Sequence, residues 1–280
     1  MLHEYSYKFT VGFVIYNPEV SFIQRLSLLN ALGVTVYILD NSPEHELTKN
    51  SITSFKNVTY VTAGKNVGLG LGISVVSATA WSSGFEMMLF LDQDTAITKH
   101  TIGYINDFVI EQGSKYYADY LLIVFQRKES DLARNAIVND VSLAISSGSL
   151  FYLDNLRRIG WHNENYFVDG VDYEVCLRAR NFGLKIGVVG AVPGFDHSIE
   201  QPDDQVVLFN KKLPIRRYNS ARIRDALTAY VKLTLSTVRH LDFIMTKDIL
   251  RSALIYILGQ IIARMRVLKR HIPGLQRSEK

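Results

Sequence analysis

Hydrophobic and polar positions alternate along the first two thirds of the chain in blocks that predict strands and helices in turn. Short apolar runs bounded by turn residues predict buried strands at residues 9–16, 35–39, 58–61, 87–91, 120–125, 141–145 and 185–189. Helical spacing of apolar residues predicts helices at 20–32, 73–81 and 171–181. This alternation predicts an α/β fold with a mostly parallel sheet flanked by helices. From residue 215 onward the pattern predicts two or three helices and no strand.

Charge separates the chain into two parts of opposite sign. Residues 211–280 contain 16 lysines and arginines against 4 acidic residues, whereas residues 1–210 contain 15 against 23. A chain of 280 residues has room for one large α/β domain and a smaller appendage. We therefore predict an α/β domain over residues 1–210 and a basic helical segment over residues 211–280.

Several classes of protein are excluded by what the sequence lacks. Cys176 is the only cysteine, which excludes an internal disulfide framework and a cysteine-rich zinc site. Residues 1–7 contain no apolar signal-peptide stretch, and no hydrophobic run approaches the roughly 20 residues that span a bilayer. The sequence contains no dinucleotide-binding glycine motif, no P-loop and no serine-hydrolase elbow. We expect a cytoplasmic protein.

Two carboxylates end the hydrophobic run at residues 87–91. Asp92 and Asp94 are two residues apart, so in extended backbone they point to the same side. Carboxylate oxygens suit Mg²⁺ or Mn²⁺ and leave coordination positions open for phosphate oxygens. The pair predicts a metal site that binds the phosphates of a nucleotide diphosphate. The alternative is a strand that ends in two solvated aspartates.

Polar residues also follow the other predicted strands. Tyr16 ends the first strand, Asp40 ends the second, and Asn66 and Gly68 follow the third. Ligands of open α/β sheets bind at the carboxyl ends of the strands, so these residues predict one crevice. The Asp40 carboxylate suits the N3–H of a thymine or uracil ring. The alternative for Asp40 is a turn-forming aspartate.

A second acidic cluster lies at the start of the predicted helix 171–181. The amino end of a helix favours the charged form of a carboxylate, which is the form that a general base needs. Glu174 and Arg178 are four residues apart and predict an ion pair. This leaves Asp172 as the candidate base and Asp169 as the second candidate. The alternative is that these carboxylates only stabilise the helix.

Three further loop residues are candidates for binding. His197 follows the last predicted strand and a Pro-Gly turn, where a histidine can complete a metal shell or contact a diphosphate. Ser147 and Gly148 form a loop of small residues that would let an acceptor approach the backbone closely, and the alternative is an ordinary turn. Cys176 lies inside the predicted helix and is expected to be a core residue rather than a nucleophile.

Six segments, taken together, resemble family 2 glycosyltransferases in their order and spacing, most closely the bacterial rhamnosyltransferase branch. The segments are VGFVIYNPE, YILDNS, GKNVGLGLG, FLDQDT, SSGS and YFVDGVDYEVCLRARNFG. The resemblance covers residues 9–200. Members of this branch often carry an Arg-Asn pair after a tyrosine-rich stretch, whereas Arg222 is followed here by Ile223.

The resemblance implies a GT-A fold and an inverting transfer of L-rhamnose from dTDP-L-rhamnose to a glycan acceptor. It also implies Mg²⁺ or Mn²⁺ as cofactor and a role in surface polysaccharide synthesis, such as O-antigen or capsule. By position it assigns nucleotide-sugar binding to Tyr16, Asp40, Asn66 and Gly68, metal binding to Asp92, Asp94 and His197, and the base role to Asp172. We also expect Asp92 and Gln93 to contact the nucleotide sugar.

The basic segment predicts a contact surface. Apolar residues at 254–262 lie on one face of a predicted helix, and Arg264, Arg266, Lys269 and Arg270 follow. Basic amphipathic helices lie on anionic leaflets, so we expect peripheral attachment to the cytoplasmic face of the inner membrane, where a lipid-linked acceptor would reside. The alternatives are packing on the catalytic domain and a homodimer contact. No nucleic-acid-binding module is recognisable.

Two other functions fit the same residues. A transferase of the same fold could use a UDP-hexose, because Asp40 would accept a hydrogen bond from either pyrimidine. A non-catalytic protein that binds sugar nucleotides as a scaffold is the other alternative. The presence of Asp172 argues against the scaffold, since a protein without a transfer reaction needs no base.

Overall fold

The structure is a computed structural model that describes residues 7–44, 46–116, 118–126, 138–196, 204–208 and 211–271. The chain divides into two compact units, Met1–Ile199 and Glu200–Lys280. The strands are β1 (Thr10–Ile15), β2 (Val36–Asp40), β3 (Val58–Thr62), β4 (Met87–Asp92), β5 (Tyr120–Phe125), β6 (Asn139–Asp140), β7 (Ser149–Tyr152), β8 (Lys185–Val189), β9 (Asp204–Leu208) and β10 (Lys211–Ile215). The helices are α1 (Val20–Ala31), α2 (Glu46–Ile52), α3 (Leu69–Ser82), α4 (Lys99–Tyr116), α5 (Leu153–Arg158), α6 (Val171–Asn181), α7 (Ser220–Arg239) and α8 (Phe243–His271).

The first unit contains an eight-stranded sheet in the order β3-β2-β1-β4-β7-β5-β8-β6. Strands β1 to β4 pair in parallel, β5 pairs in parallel with β8, and β6 and β7 are antiparallel to their neighbours. A mostly parallel sheet must be covered on both faces, which explains the continuous apolar runs of its strands. The predicted α/β sheet is confirmed.

Aromatic side chains fill much of the core between the sheet and its helices. Phe22 of α1 meets Phe13 of β1 edge to face, with ring centroids 5.1 Å apart. Helix α3 is rich in small residues and lies close to the sheet. A Cβ atom at Gly72 would lie 2.8 Å from the methyl carbons of Val14. Small residues on α3 therefore allow the helix to approach β1.

One predicted strand is wrong. Residues 141–145 form a loop, and the strand that precedes them is the short β6. The Val141 N–H still bonds to the carbonyl of Ile186, but the chain then leaves the sheet. The Ile145 carbonyl accepts a hydrogen bond from the Ser149 hydroxyl at 2.7 Å, which closes the loop before β7. The apolar run at 141–145 therefore packs as a loop and does not pair as a strand.

The second unit contains an antiparallel pair of strands, β9 and β10, which the sequence pattern did not predict, followed by α7 and α8. This unit begins before the predicted boundary at residue 211. Asn219 caps α7 by accepting a hydrogen bond from the Arg222 N–H at 2.8 Å. The Arg222 guanidinium lies over the Tyr218 ring, 5.6 Å from its centroid. Among the described helices, none is long and apolar enough to cross a membrane.

Candidate active site

Polar residues from three parallel strands meet at the carboxyl edge of the sheet. Ile15 pairs with Asp40 and Val14 pairs with Asp92, so the ends of β1, β2 and β4 lie side by side. Strand β7 runs antiparallel to β4, and its first residue, Ser149, pairs with a residue near the end of β4. The loop that precedes β7 therefore reaches the same edge.

Three of the predicted carboxylates form one cluster at this edge. Burial, together with repulsion from Asp172 and Asp94, raises the pKa of Asp92 to about 7, and a hydrogen bond with Ser147 opposes this rise. The Asp92 side chain is nevertheless exposed to solvent. The structure thus brings Asp92, Asp94 and the predicted base Asp172 close together at the carboxyl edge of the sheet.

Two serines hold these carboxylates in place. The Ser147 hydroxyl accepts a hydrogen bond from the Asp92 N–H at 3.0 Å and shares another with the Thr95 hydroxyl at 2.9 Å. The Ser146 hydroxyl donates to Oδ1 of Asp172 at 2.5 Å. Burial raises the pKa of Asp172, and hydrogen bonds from the hydroxyl and backbone of Ser146 oppose that rise. Sequence reasoning missed Ser146 because its partner is 26 residues away.

Gln93 connects the turn between Asp92 and Asp94 to the end of β1. Its side-chain amide accepts a hydrogen bond from the Tyr16 N–H at 2.7 Å and donates to the Tyr16 carbonyl at 3.2 Å. Arg25 of α1 donates to the Gln93 carbonyl. Burial lowers the pKa of Arg25, and the nearby Asp94 carboxylate opposes this shift. These contacts stabilise the turn, while direct binding of a nucleotide sugar by Gln93 and the exposed Tyr16 stays a prediction.

Asp40 is completely buried at the end of β2. One carboxylate oxygen accepts a hydrogen bond from the Ser42 N–H at 2.7 Å, and the other accepts one from the Tyr60 hydroxyl at 2.7 Å. The Ser42 hydroxyl in turn accepts a hydrogen bond from the Asn17 N–H at 2.7 Å. These contacts match the turn-forming alternative. Recognition of a pyrimidine by Asp40 stays a prediction.

The loop between β3 and α3 is held by two asparagines. Asn66 accepts a hydrogen bond from the Gly68 N–H at 2.9 Å. Asn41 accepts one from the Val67 N–H at 3.1 Å and donates to the Gly68 carbonyl at 3.2 Å. Gly68 has a φ of 88°, and a Cβ atom there would lie 2.7 Å from the Phe167 ring. Asn41, whose side chain the sequence analysis did not assign, therefore joins the end of β2 to this loop.

Helix α6 has the predicted bounds and carries Asp172 in its first turn. Asp169 is half-buried in the turn before the helix. The predicted ion pair is confirmed, with 2.8 Å between Nε of Arg178 and Oε1 of Glu174. Cys176 is buried, and burial raises the pKa of its thiol to about 12. The thiol therefore stays protonated at neutral pH, as expected for a core residue.

The residues predicted to contact an acceptor have structural contacts in this loop. Gly148 has a φ of 79°, and a Cβ atom there would lie 2.6 Å from the Phe195 ring and 2.8 Å from the Phe125 carbonyl oxygen. Ser147 is buried. An acceptor contact at Ser147 and Gly148 stays a prediction. His197 lies outside the described residues.

The carboxylates fit a metal ion that also binds phosphate. The described residues contain no group of three or more His, Cys, Asp or Glu side chains that could hold an ion by themselves. Mg²⁺ is commonly bound through one or two carboxylates together with substrate phosphates. Repulsion among the three carboxylates contributes to the raised pKa of Asp92, and a cation at Asp92 and Asp94 would relieve it. These two residues would hold the ion.

One curated relative and several solved structures are similar to this chain. The chain is 24% identical over 233 residues to the dTDP-rhamnosyl transferase RfbF of Shigella flexneri, and the alignment covers 76% of each chain. No family model matches the chain. This similarity supports a glycosyltransferase.

Two solved structures of TarS from S. aureus share the fold. One gives a TM-score of 0.57 at 16% identity and covers 89% of this chain and 43% of TarS. The other, TarS 1–349 in complex with UDP-GlcNAc, gives a TM-score of 0.54 at 16% identity and covers 81% of this chain and 65% of that one. The chain thus spans less than two thirds of both structures. The predicted GT-A fold is confirmed.

Proposed function

We propose that this protein is an inverting glycosyltransferase that transfers L-rhamnose from dTDP-L-rhamnose to a glycan acceptor during surface polysaccharide synthesis. The similarity to a dTDP-rhamnosyl transferase supports the donor. The observation that carries the proposal is the position of Asp172. This carboxylate is held by Ser146 and lies close enough to Asp92 to raise the pKa of that residue, as Asp94 also does.

In the proposed reaction, Asp172 accepts the proton of an acceptor hydroxyl as that oxygen attacks the anomeric carbon of the donor. The bond between the anomeric carbon and the diphosphate oxygen breaks as the new glycosidic bond forms on the opposite face. Burial raises the pKa of Asp172 and so makes its carboxylate a stronger base. The hydrogen bonds from Ser146 keep the ionised form accessible and orient it.

Asp92 and Asp94 would hold a divalent cation in this proposal. When bound, the ion would supply positive charge that stabilises the diphosphate leaving group. The pairing of Gln93 with Tyr16 and the contact of Arg25 with the Gln93 carbonyl keep the turn in one conformation. Preorganised ligands of this kind bind without a cost for ordering the loop.

The donor and the metal can be tested together. The full chain is incubated with a panel of dTDP- and UDP-sugars, with Mn²⁺ or with a chelator, and release of nucleoside diphosphate and thermal stabilisation are measured. We expect dTDP-rhamnose to be turned over and the chelator to stop turnover. Turnover of a UDP-hexose alone would identify the alternative donor. Binding of sugar nucleotides without turnover, even with acceptor present, would favour the scaffold.

The basic second unit is proposed to hold the enzyme on an anionic membrane surface at the cytoplasmic face. Apolar residues that the sequence predicted on one face of α8 are exposed, including Leu254, Ile257, Leu258 and Ile261. An exposed apolar face beside basic residues is suited to an anionic leaflet. Binding to anionic vesicles at low salt, with release at high salt, is expected. A dimer in solution without vesicle binding would favour the homodimer alternative.

A further inference from the structure

Three highly exposed apolar side chains lie together at the turn between α7 and α8. Ile244, Leu241 and Phe243 are 79%, 72% and 65% exposed. Single exposed apolar residues are common on protein surfaces, but three within four positions form a patch that requires an explanation. The two helices run antiparallel, because Thr237 contacts Thr246 while Gln260 contacts Tyr218, so the patch lies at the end of a helical hairpin.

Leu241 occupies a position where the fold favours glycine. Its φ is 57°, in the left-handed region. The Leu241 N–H bonds to the Val238 carbonyl at 3.0 Å and the Asp242 N–H bonds to the Thr237 carbonyl at 2.9 Å, which is the pattern of a helix end that glycine normally fills. A leucine that is both strained and exposed contributes little to the stability of the fold. A partner outside the chain would explain its presence.

The turn presents these side chains in a fixed arrangement. Asp242 caps α8 by accepting a hydrogen bond from the Met245 N–H at 3.0 Å. The Thr246 hydroxyl donates to the Thr237 hydroxyl at 2.8 Å and so joins the two helices near the turn. A turn closed by these bonds does not need to be ordered when it binds, which favours binding.

The positive charge of this region favours an anionic partner. Residues 216–265 contain nine lysines and arginines against three aspartates. A second copy of this basic hairpin would be repelled by like charge. A bilayer with anionic lipids offers hydrocarbon to the apolar side chains and negative headgroups to Arg239 and Lys247, which flank the turn on α7 and α8.

We propose that the turn between α7 and α8 inserts Leu241, Phe243 and Ile244 into an anionic bilayer, with Arg239 and Lys247 at the headgroups. The inference rests on the membrane contact included in the proposed function, and it names the part of the chain that enters the lipid. The face of α8 that contains Leu254 would then lie along the surface. Insertion of the turn would anchor the second unit at the bilayer surface.

Leu241→Gly tests the insertion without damage to the fold, because it removes the apolar side chain and the strain together. We expect it to bind vesicles of mixed phosphatidylcholine and phosphatidylglycerol about tenfold more weakly than the parent protein, with an equal or higher melting temperature. Ile110→Ser, which removes a side chain on α4 that is 58% exposed, is the matched control and should bind as the parent does.

A fluorescent label reports insertion directly. The one native cysteine, Cys176, is buried, so a polarity-sensitive dye attached to an Ile244→Cys variant labels the turn selectively. We expect the emission to shift to shorter wavelength on vesicles with anionic lipid. Equal vesicle binding by Leu241→Gly, or an unshifted emission on bound protein, would overturn the insertion.

The outcomes also separate this inference from the rest of the proposed function. Failure of the parent protein to bind anionic vesicles at low salt would overturn both the insertion and the membrane contact. Turnover of nucleotide sugar, measured on the same preparation without vesicles, reports the transferase activity independently. The insertion can therefore fail while the transferase proposal stands.

Discussion

The loop before β7 and the turn between α7 and α8 each contain a residue with left-handed backbone, but the residue types differ. In the first, Gly148 has a φ of 79° and a Cβ atom would lie 2.8 Å from the Phe125 carbonyl oxygen, so both conformation and packing require glycine. In the second, Leu241 has a φ of 57° and is 72% exposed. The fold explains the glycine, whereas it does not explain the leucine.

The same contrast holds for burial. At the sheet edge, Asp40 and Ser147 are polar and buried, and their oxygen atoms accept hydrogen bonds from neighbouring strands and from the turn after β2. At the helical turn, Phe243 and Ile244 are apolar and exposed. Buried polar groups that are satisfied specify one arrangement of a site, and a cluster of exposed apolar groups indicates a missing partner. The polar groups of the first region are satisfied by hydrogen bonds within the chain, whereas the apolar side chains of the second region are exposed.

The largest effect is expected at Asp172, the proposed base at the carboxyl edge of the sheet. Asp172→Asn should lower the rate of sugar transfer by about 10²–10⁴-fold, because the amide cannot accept the proton. Donor affinity, measured by thermal shift or calorimetry, should stay within about twofold, because the change removes no predicted metal ligand. Asp107→Asn, an exposed carboxylate on α4, is the control. A comparable loss of donor binding in Asp172→Asn would show that the residue is structural.

His162 tests the rule that buried polar groups are satisfied. It is buried, and its two ring nitrogens have no hydrogen-bond partner among the described residues. Burial, with repulsion from Arg178, lowers its pKa to about 3. The unfolded chain therefore binds a proton between pH 6.5 and 3 that the folded chain does not, so stability is present above pH 6.5 and falls as the pH falls.

Chemical denaturation at several pH values measures this effect. Relative to a His162→Leu variant, the parent protein should lose about 3 kcal/mol of unfolding free energy between pH 7 and pH 4, since each pH unit below 6.5 contributes about 1.4 kcal/mol. The comparison isolates His162, because Asp92, with its raised pKa, contributes in the opposite direction to both proteins. Parallel stability curves for parent and variant would mean that His162 is solvated or partnered in solution.

A smaller effect is expected from Ser146→Ala, which removes the hydroxyl that holds Asp172. Hydrogen bonds to a charged group are worth about 1.5–3 kcal/mol, so transfer at neutral pH should fall by about tenfold or more. Because the hydroxyl stabilises the ionised carboxylate, its loss raises the pKa of Asp172 and moves the acidic limb of the pH–rate profile to higher pH. The exposed Ser54→Ala is the control. An unmoved acidic limb would contradict the role of Ser146.

The smallest expected effect is that of Leu241→Gly, and it is an increase in stability rather than a loss. Leu241→Gly should raise the free energy of unfolding by about 1 kcal/mol, because it relieves the left-handed strain. Gly148→Ala, the matched change at the sheet edge, should lower it by a few kcal/mol through strain and overlap with Phe125. Thermal denaturation of both variants compares the two turns directly. Destabilisation by Leu241→Gly would mean that the leucine contributes packing to the fold.

Local pattern was sufficient to predict several elements of this fold. Helix α6 and strand β8 have the predicted bounds, because apolar spacing and the turn at Gly183 are local signals. Residues 141–145 contain the same kind of apolar run, yet they do not pair as a strand. Whether an apolar run pairs in a sheet depends on neighbours that are distant in the chain, and local periodicity does not report them.

The sequence by itself determined which carboxylates and loops were candidates, since Asp92, Asp94 and Asp172 follow recognisable patterns. Tertiary structure alone decided their environment. It placed Ser146 against Asp172, buried Asp40 beneath Tyr60, and left Leu241 exposed at a strained turn. The physical reason is that hydrogen bonds and burial depend on distances through space. Residues 26 positions apart in the chain, such as Ser146 and Asp172, become partners only once the sheet has formed.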